Sequence, residues 1–246
     1  MKIIFNNIKI NAIKMYFTDS FSESMFNECP RLKEIDLSSF DTSKVKDMRD
    51  MFKGCKSLKT LDLSNFDTRN VMYTCSMFQD CSSLKTLDLS NFSTRNVISM
   101  ELMFADCSSL EVLDISNFDT SKVIDMGQMF SDCSSLGALD ISNFNTRHVE
   151  HMEYMFCGCK SLKTLDLSSF DTSKVIDMSN MFNNCSSLKA LDLSSFDISN
   201  VTSIRNMDNM FKGCSSLKEV KLPKDKPSRD KILDQLQKEG IHCKVL

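Results

Sequence analysis

The dipeptide Met-Phe recurs with its Met at positions 25, 51, 77, 103, 129, 155, 181 and 210, six steps of 26 residues and one of 29. Each is followed three residues after the Phe by a Cys, from Cys29 through Cys55, Cys81, Cys107, Cys133, Cys159 and Cys185 to Cys214. In-phase copies of this number fold as an array, because a single unit of this length has too little apolar surface to fold alone and must bury its face against its neighbours. Strands in adjacent turns are then parallel and about 4.8 Å apart, and the turns together make a rod roughly 35–40 Å long.

One unit reads Ser57-Leu-Lys-Thr-Leu-Asp-Leu-Ser-Asn-Phe-Asp-Thr-Arg-Asn-Val, then a Met-rich stretch ending in Met-Phe-x-x-Cys. Leu58, Leu61 and Leu63 occupy the first, fourth and sixth places of L-x-x-L-x-L, the strand-bearing half of a leucine-rich repeat. At place nine, where that motif carries an inward Asn or Cys, this chain has Phe40, Phe66, Phe92, Phe118, Phe144, Phe170 and Phe196. An apolar spine there leaves corner backbone groups to find other partners, and Asn65, Asn91 and Ser169, one residue earlier, have the right chemistry.

The second half of the turn has a helical rhythm. Val123, Met126, Met129 and Phe130 fall on one face of a short helix, and Asp119-Thr120-Ser121 before them suits an N-cap. Gly54, Asp80, Asp106, Asp132, Gly158, Asn184 and Gly213 precede the Cys column and tolerate the left-handed backbone of a tight return. The expectation is an α/β repeat solenoid, with one parallel sheet of short strands and short helices on the opposite side.

Three segments follow. Residues 1–24 keep the length of a repeat but lose most of its columns, as a degenerate N-terminal capping turn does. Residues 25–222 form the array. Residues 223–246 form a C-terminal helix–strand cap, in which Ser228 opens a helix with Ile232, Leu233 and Leu236 inward, Gly240 stops it, and Ile241–Leu246 alternates as a last strand. Ile198 replaces the corner Thr of the final turn, which carries extra residues near Ser203.

A formal net charge of −3 gives no broad basic footprint for nucleic acid. The apolar run Ile3-Ile4-Phe5 is too short for a signal h-region of roughly 7–15 residues. Nothing approaches the ~20 apolar residues of a membrane span, and the C-terminus has no lipidation box. The chain as written is expected in the cytoplasm, without membrane insertion, and at the cell surface if it is a fragment of a longer precursor.

The most suggestive chemistry is a column of carboxylates. Asp36, Asp62, Asp88, Asp114, Asp140, Asp166 and Asp192 each lie between two inward strand residues and so point outward. Neighbouring charges ~5 Å apart repel by roughly 0.8 kcal/mol in water and ~3 kcal/mol at an effective dielectric of 20. Either a cation or basic partner neutralises them, or compensation is local, from Lys33, Lys59, Lys85, Lys163, Lys189 and Lys218 three residues upstream and from the Ser and Thr that flank the column. Glu111 and Gly137 interrupt the lysines, so Asp114 and Asp140 are the expected contact centre, within a partner-binding set of Asp62, Asp88, Asp114, Asp140 and Asp166.

The Cys column invites disulfides, but same-pointing neighbours near 4.8 Å are too far apart for a Cβ separation of ~3.8 Å. Buried free thiols are the expectation, with Cys75, Cys157 and Cys243, off the column, the more reactive. His148, His151, Cys157 and Cys159 have zinc-ligand chemistry. However, Cys159 belongs to the core column and the others vary as surface residues do, so no metal site is expected. The Met columns run in phase with Val and Phe and belong to the core. No nucleophile–base pair breaks the repeat, so no catalytic residue and no cofactor is expected.

The block L-x-x-L-D-L-S-x-F-D-T-S-x-V-x-x-M-x-x-M-F-x-x-C resembles the 26-residue, BspA-like leucine-rich repeat of bacterial surface proteins. The resemblance covers roughly residues 25–222. It implies a right-handed solenoid of a kind displayed on cell surfaces in adhesion or host binding, with no catalytic residues and no defined ligand. The function expected is a non-catalytic protein-binding or adhesion surface presenting the strand-lined, Asp-rich face. Its partner would be a protein or repetitive polymer of basic character. The alternatives are a passive spacer or stalk, and a cation-binding module on the Asp column.

Overall fold

A computed structural model of the chain describes residues 24–246. The degenerate turn expected at 1–24 lies, but for Ser24, outside them. Short parallel strands and long stretches of turn make up a repeat-type α/β protein. The strands are β1 (Thr86–Asp88), β2 (Val112–Asp114), β3 (Ala190–Asp192), β4 (Glu219–Lys221) and β5 (Lys244–Val245), with one α-helix, α1 (Lys226–Lys238), between β4 and β5. β1 pairs with β2, and β3, β4 and β5 form a second sheet, so the single sheet expected is two. Register is fixed by the outward positions, Asp88 opposite Asp114 and Asp192 opposite Lys221. The equivalent positions at 59–63, 137–141 and 163–167 form no strand.

Successive copies of the repeat lie against one another through their columns. Phe26, Phe52, Phe78, Phe104, Phe130, Phe156, Phe182 and Phe211 stack with ring centroids 5.4–5.9 Å apart and planes within 13° of parallel. Beside them the Met column from Met51 to Met210, the Cys column and the second Phe column are buried, as the periodicity requires. The buried thiols also hold the stack together. Cys55 Sγ donates to the carbonyl of Phe26, and the same bond repeats from Cys81, Cys107, Cys133, Cys159, Cys185 and Cys214 at 3.0–3.3 Å. All described cysteines are free thiols.

The short helix expected in each turn does not form. Among the described residues the helices are α1 and a single 3-10 turn at Ile204–Met207. In place of a helix, each Met-Phe segment makes two tight turns in succession. Met51 N–H donates to Met48 O and Cys55 N–H to Phe52 O, with positive φ at Asp50 and Gly54, the third residue of each. That is the signature of type II turns. The alternate amides donate across the stack, Asp50 to Cys75 O, Phe52 to Met77 O and Gly54 to Gln79 O. Positive φ recurs at Ser76 and Asp80, Leu102 and Asp106, Gln128 and Asp132, and onward. The physical reason is width. A helix is about 10–12 Å across with its side chains, whereas the rings here repeat every 5.4–5.9 Å. One helix per turn would splay that side of the array and break the ring stack.

Thr120, read as helix-capping chemistry, is instead a buried rung. Its hydroxyl donates to Asn145 O (3.0 Å) and accepts from Asn145 N–H (2.7 Å). The same two-way bond recurs from Thr42 to Thr172. The corner partners foreseen for the Phe spine are present. Asn65 Nδ2 donates to Leu37 O and Phe40 O, Asn91, Asn117 and Asn143 repeat the bond, and Ser169 and Ser195 do so by hydroxyl.

At the C-terminal end, α1 and β5 supply what a further turn would. Ser228 Oγ accepts from Ile198 N–H, Lys231 Nζ donates to the Ile198 and Val201 carbonyls, and Glu239 Oε2 accepts from Phe211 N–H. The helix begins before Ser228, at Lys226, because Asp225 caps it by accepting from Ser228 N–H. It ends at Gly240 (φ 69°), where Ile241 N–H reaches Leu236 O and Gly240 N–H reaches Gln237 O, a Schellman closure. Ile232 and Leu236 are buried and Leu233 partly so.

Candidate functional site

The strand side presents the seven aspartates in one row. Asp36, Asp62, Asp88, Asp114, Asp140 and Asp166 are exposed and Asp192 is half-buried. All seven use Oδ1 in the same way, accepting from the backbone N–H of the Ser two residues on: Ser38, Ser64, Ser90, Ser116, Ser142, Ser168 and Ser194, at 2.9–3.0 Å. The Ser116 and Ser142 hydroxyls add second bonds. Each Asp thus closes the turn at the end of its strand, and one oxygen is fixed while the other faces out.

These bonds from serine hold the carboxyls of Asp36, Asp62, Asp88, Asp114, Asp140 and Asp166 below the usual aspartate range. The charges of Asp88 and Asp140 push Asp114 the other way without prevailing. Asp192 is raised by burial, but bonds from Lys221 and Ser194 more than offset this. Of the two local compensators expected, the flanking serine makes the contact and the lysine three residues upstream does not. Three residues of extended chain span about 10 Å, too far for that contact. Among the described residues the ion pair made by the row is at its end, Lys221 Nζ to Asp192 Oδ2 at 2.8 Å, while Lys85 turns to Glu111 (3.0 Å).

The lysines form a second row. Glu111 N–H bonds Lys85 O, Lys189 bonds Lys163, Lys218 bonds Lys189, and Lys244 bonds Lys218. These side chains are exposed. Between the rows runs a line of small outward residues, Thr60, Thr86, Val112, Ala138, Thr164 and Ala190. Where strand pairing lapses, the line opens into a depression of about 570 Å³, lined by Ala138, Leu139, Asp140, Thr164, Leu165, Asp166, Ala190 and Asp192. The sequence expectation centred the site on Asp114 and Asp140. The hollow adjoins Asp140 of that pair, together with Asp166 and Asp192, and Ala138 and Ala190 take places filled elsewhere by Thr or Val.

The residues with zinc-ligand chemistry are dispersed. Cys159 bonds Phe130 O in the core, His148 Nδ1 takes a bond from Lys174 Nζ (3.1 Å), and His151 Nδ1 lies 3.5 Å from Glu153 Oε2. Among the described residues no group of three His, Cys, Asp or Glu side chains could hold a metal ion. Cys75, Cys157 and Cys243 are half-buried, and burial raises all three thiols above their ordinary range. They are less activated than their position off the core column suggested.

A carboxylate cluster that the sequence reading missed lies along the turn side. Asp125, His151 and Asp177 stack in direct register. Burial raises the carboxyls of Glu101 and Glu153, with Asp125 adding to both. Glu153 reaches back over Gly127, where a Cβ would come within 2.7 Å of its Oε1. A glycine facing a glutamate one repeat later was the available signal.

Fold and face define a repeat-type α/β protein whose outward chemistry is as periodic as its core. The chain belongs to the family described as Mycoplasma protein of unknown function, DUF285, whose model matches residues 19–137 and 99–224. No curated protein matches it. Among the described residues no helix is long and apolar enough to cross a membrane.

Proposed function

We propose that the chain is a non-catalytic binding module, a right-handed solenoid of BspA-like leucine-rich repeats whose strand-lined face meets a protein or repetitive polymer in adhesion or assembly. The observation that carries this reading is the uniform aspartate row. Seven carboxylates are oriented by the same serine bond along one side, six of them exposed. They are charged at neutral pH, as aspartates ordinarily are, and the serine bonds lower their carboxyls further, which suits a basic partner. A passive spacer is the second reading, favoured by how little the outward Asp and Ser vary between turns. Binding of bare cations is disfavoured by the commitment of one oxygen of every aspartate to serine.

The test is titration of the full chain with an oligolysine peptide, followed by fluorescence anisotropy. The reading expects binding that weakens with salt and is lost on changing Asp88, Asp114 and Asp140 together to Asn. Equal binding by that variant, or none by the wild type, would refute it and favour the spacer.

A further inference from the structure

We propose that the strand face is self-complementary and that its occupant is a second copy of this chain, paired about a two-fold axis parallel to the stack, with the aspartate row of each copy on the lysine row of the other. The inference rests on the strand face being the binding face and names what it binds.

The two rows are the evidence. They run side by side on one face, opposite in sign, about 10 Å apart. Lys33, Lys59, Lys163, Lys189 and Lys218 make no ion pair among the described residues, and Asp62, Asp88, Asp114, Asp140 and Asp166 meet serine rather than a cation. Rotation about an axis lying between the rows exchanges them. Lys59 then faces Asp62 of the other copy, Lys85 faces Asp88, Lys163 faces Asp166 and Lys189 faces Asp192, each contact occurring twice, as an isologous interface requires.

Spacing selects the same occupant. A second copy repeats its charges at the same rise as the first and stays in step along the whole row. An extended peptide sets same-side residues about 6.6–6.8 Å apart against rungs of about 4.8 Å, and is out of step within two or three contacts. A single helix offers one row of side chains, not two of opposite sign. From Thr60 to Ala190 the line between the rows is Thr, Val and Ala, which lets the two faces approach there without a steric ridge, and Glu219 continues it beyond.

The pairing has two like-charge contacts: Lys218 would face Lys221 of the other copy, which its own Asp192 offsets at 2.8 Å, and the acidic one is diagnostic. Glu111 falls in the lysine row and would face Asp114 of the other copy, with only its own Lys85 to offset it. Exposed ion pairs contribute little each, and a face of this width falls short of the area of a stable complex. The association is therefore weak and governed by salt.

Sedimentation of the full chain tests this. Dimer is expected at about 0.01 M salt and monomer at about 1 M, where charges act over roughly 30 Å and 3 Å respectively. Glu111→Lys should tighten the dimer roughly tenfold, whereas it would weaken the binding of an oligolysine peptide. Changing Asp62, Asp88 and Asp166 to Lys, or Lys59, Lys85 and Lys163 to Asp, should give monomers of unchanged circular dichroism that associate when the two variants are mixed. A wild type that stays monomeric at low salt, a dimer indifferent to salt, or swapped variants that fail to associate on mixing would overturn the proposal. If oligolysine still binds in an Asp-dependent way while any of these holds, the strand-face reading survives and only the second copy is excluded. Failure of both removes the strand face altogether.

Discussion

Replacing Thr120 with Val isolates the buried hydroxyl ladder with almost no change of shape. Thr120 is 1% exposed, and its Oγ1 both donates to Asn145 O at 3.0 Å and accepts from Asn145 N–H at 2.7 Å. Val fills the same volume but leaves that N–H and that carbonyl facing a methyl group inside the array. An unsatisfied buried amide costs about 1–3 kcal/mol and a lost hydrogen bond about 0.5–1.5 kcal/mol, so Thr120→Val should destabilise by about 2–4 kcal/mol. For a chain of this length that is a fall in Tm of roughly 4–16 °C. Thr120→Ser keeps the hydroxyl and removes one methyl, which should cost about 1 kcal/mol. The order of the two variants is the decisive result. Calorimetry gives the midpoints, and amide hydrogen exchange adds a local readout, since Asn145 N–H should lose its protection in the Val variant alone. If Val is no worse than Ser, or if Asn145 stays protected, the ladder is not what joins these turns.

Other expectations follow from single positions. Gly158→Ala should cost more than ~1 kcal/mol, because φ is +72° and the new Cβ would lie 2.2 Å from Asp132 Oδ1, whereas Gly137→Ala, with nothing within 4 Å, should be near neutral by urea denaturation. The carboxyls of Glu101 and Glu153 are raised in the fold, Glu101 by burial and the charge of Asp125, Glu153 by burial and the charges of Asp125 and Asp177. The folded state therefore takes up their protons first as pH falls, and stability should rise from neutral pH toward their unfolded value near ~4.3. Further acidification should reverse the trend, since the strand-face aspartates, lowered by serine, contribute above their unfolded pKa and lose that contribution as pH falls through the folded one. Glu153→Gln should flatten the neutral side of this profile in thermal melts. Iodoacetamide on the native protein, followed by intact mass, should modify no described cysteines beyond Cys75, Cys157 and Cys243, and slowly. Labelling of any core-column cysteine before unfolding would contradict their burial.

Much of this fold was legible because repetition turns each column into several readings of one environment. The inward Leu, Phe, Met and Cys and the Asn65-type corner bond follow directly from phase. The helix was misread at Val123, Met126, Met129 and Phe130, since two successive type II turns return side chains to one face at nearly helical spacing. The position that excludes a helix is the left-handed one inside the segment, Gln128 (φ 57°), and its residue type does not announce it. The aspartate row and its flanking serines were legible, but the bond that joins them, from the serine N–H to Asp Oδ1, was not, because it depends on where the strand ends. Nor was the hollow beside Ala138 and Ala190, which arises from a lapse in pairing that no single residue announces.

Because the inter-turn bonds join the same two columns at a constant offset from copy to copy, removing or duplicating one whole copy leaves each of those bonds with an equivalent partner. Length in such a chain is free to change in quanta of one copy. A smaller insertion has to bulge outward, and the longer last copy, with its 3-10 segment at Ile204–Met207, is where this chain has absorbed one. Genes of this family should therefore differ in steps of a full copy.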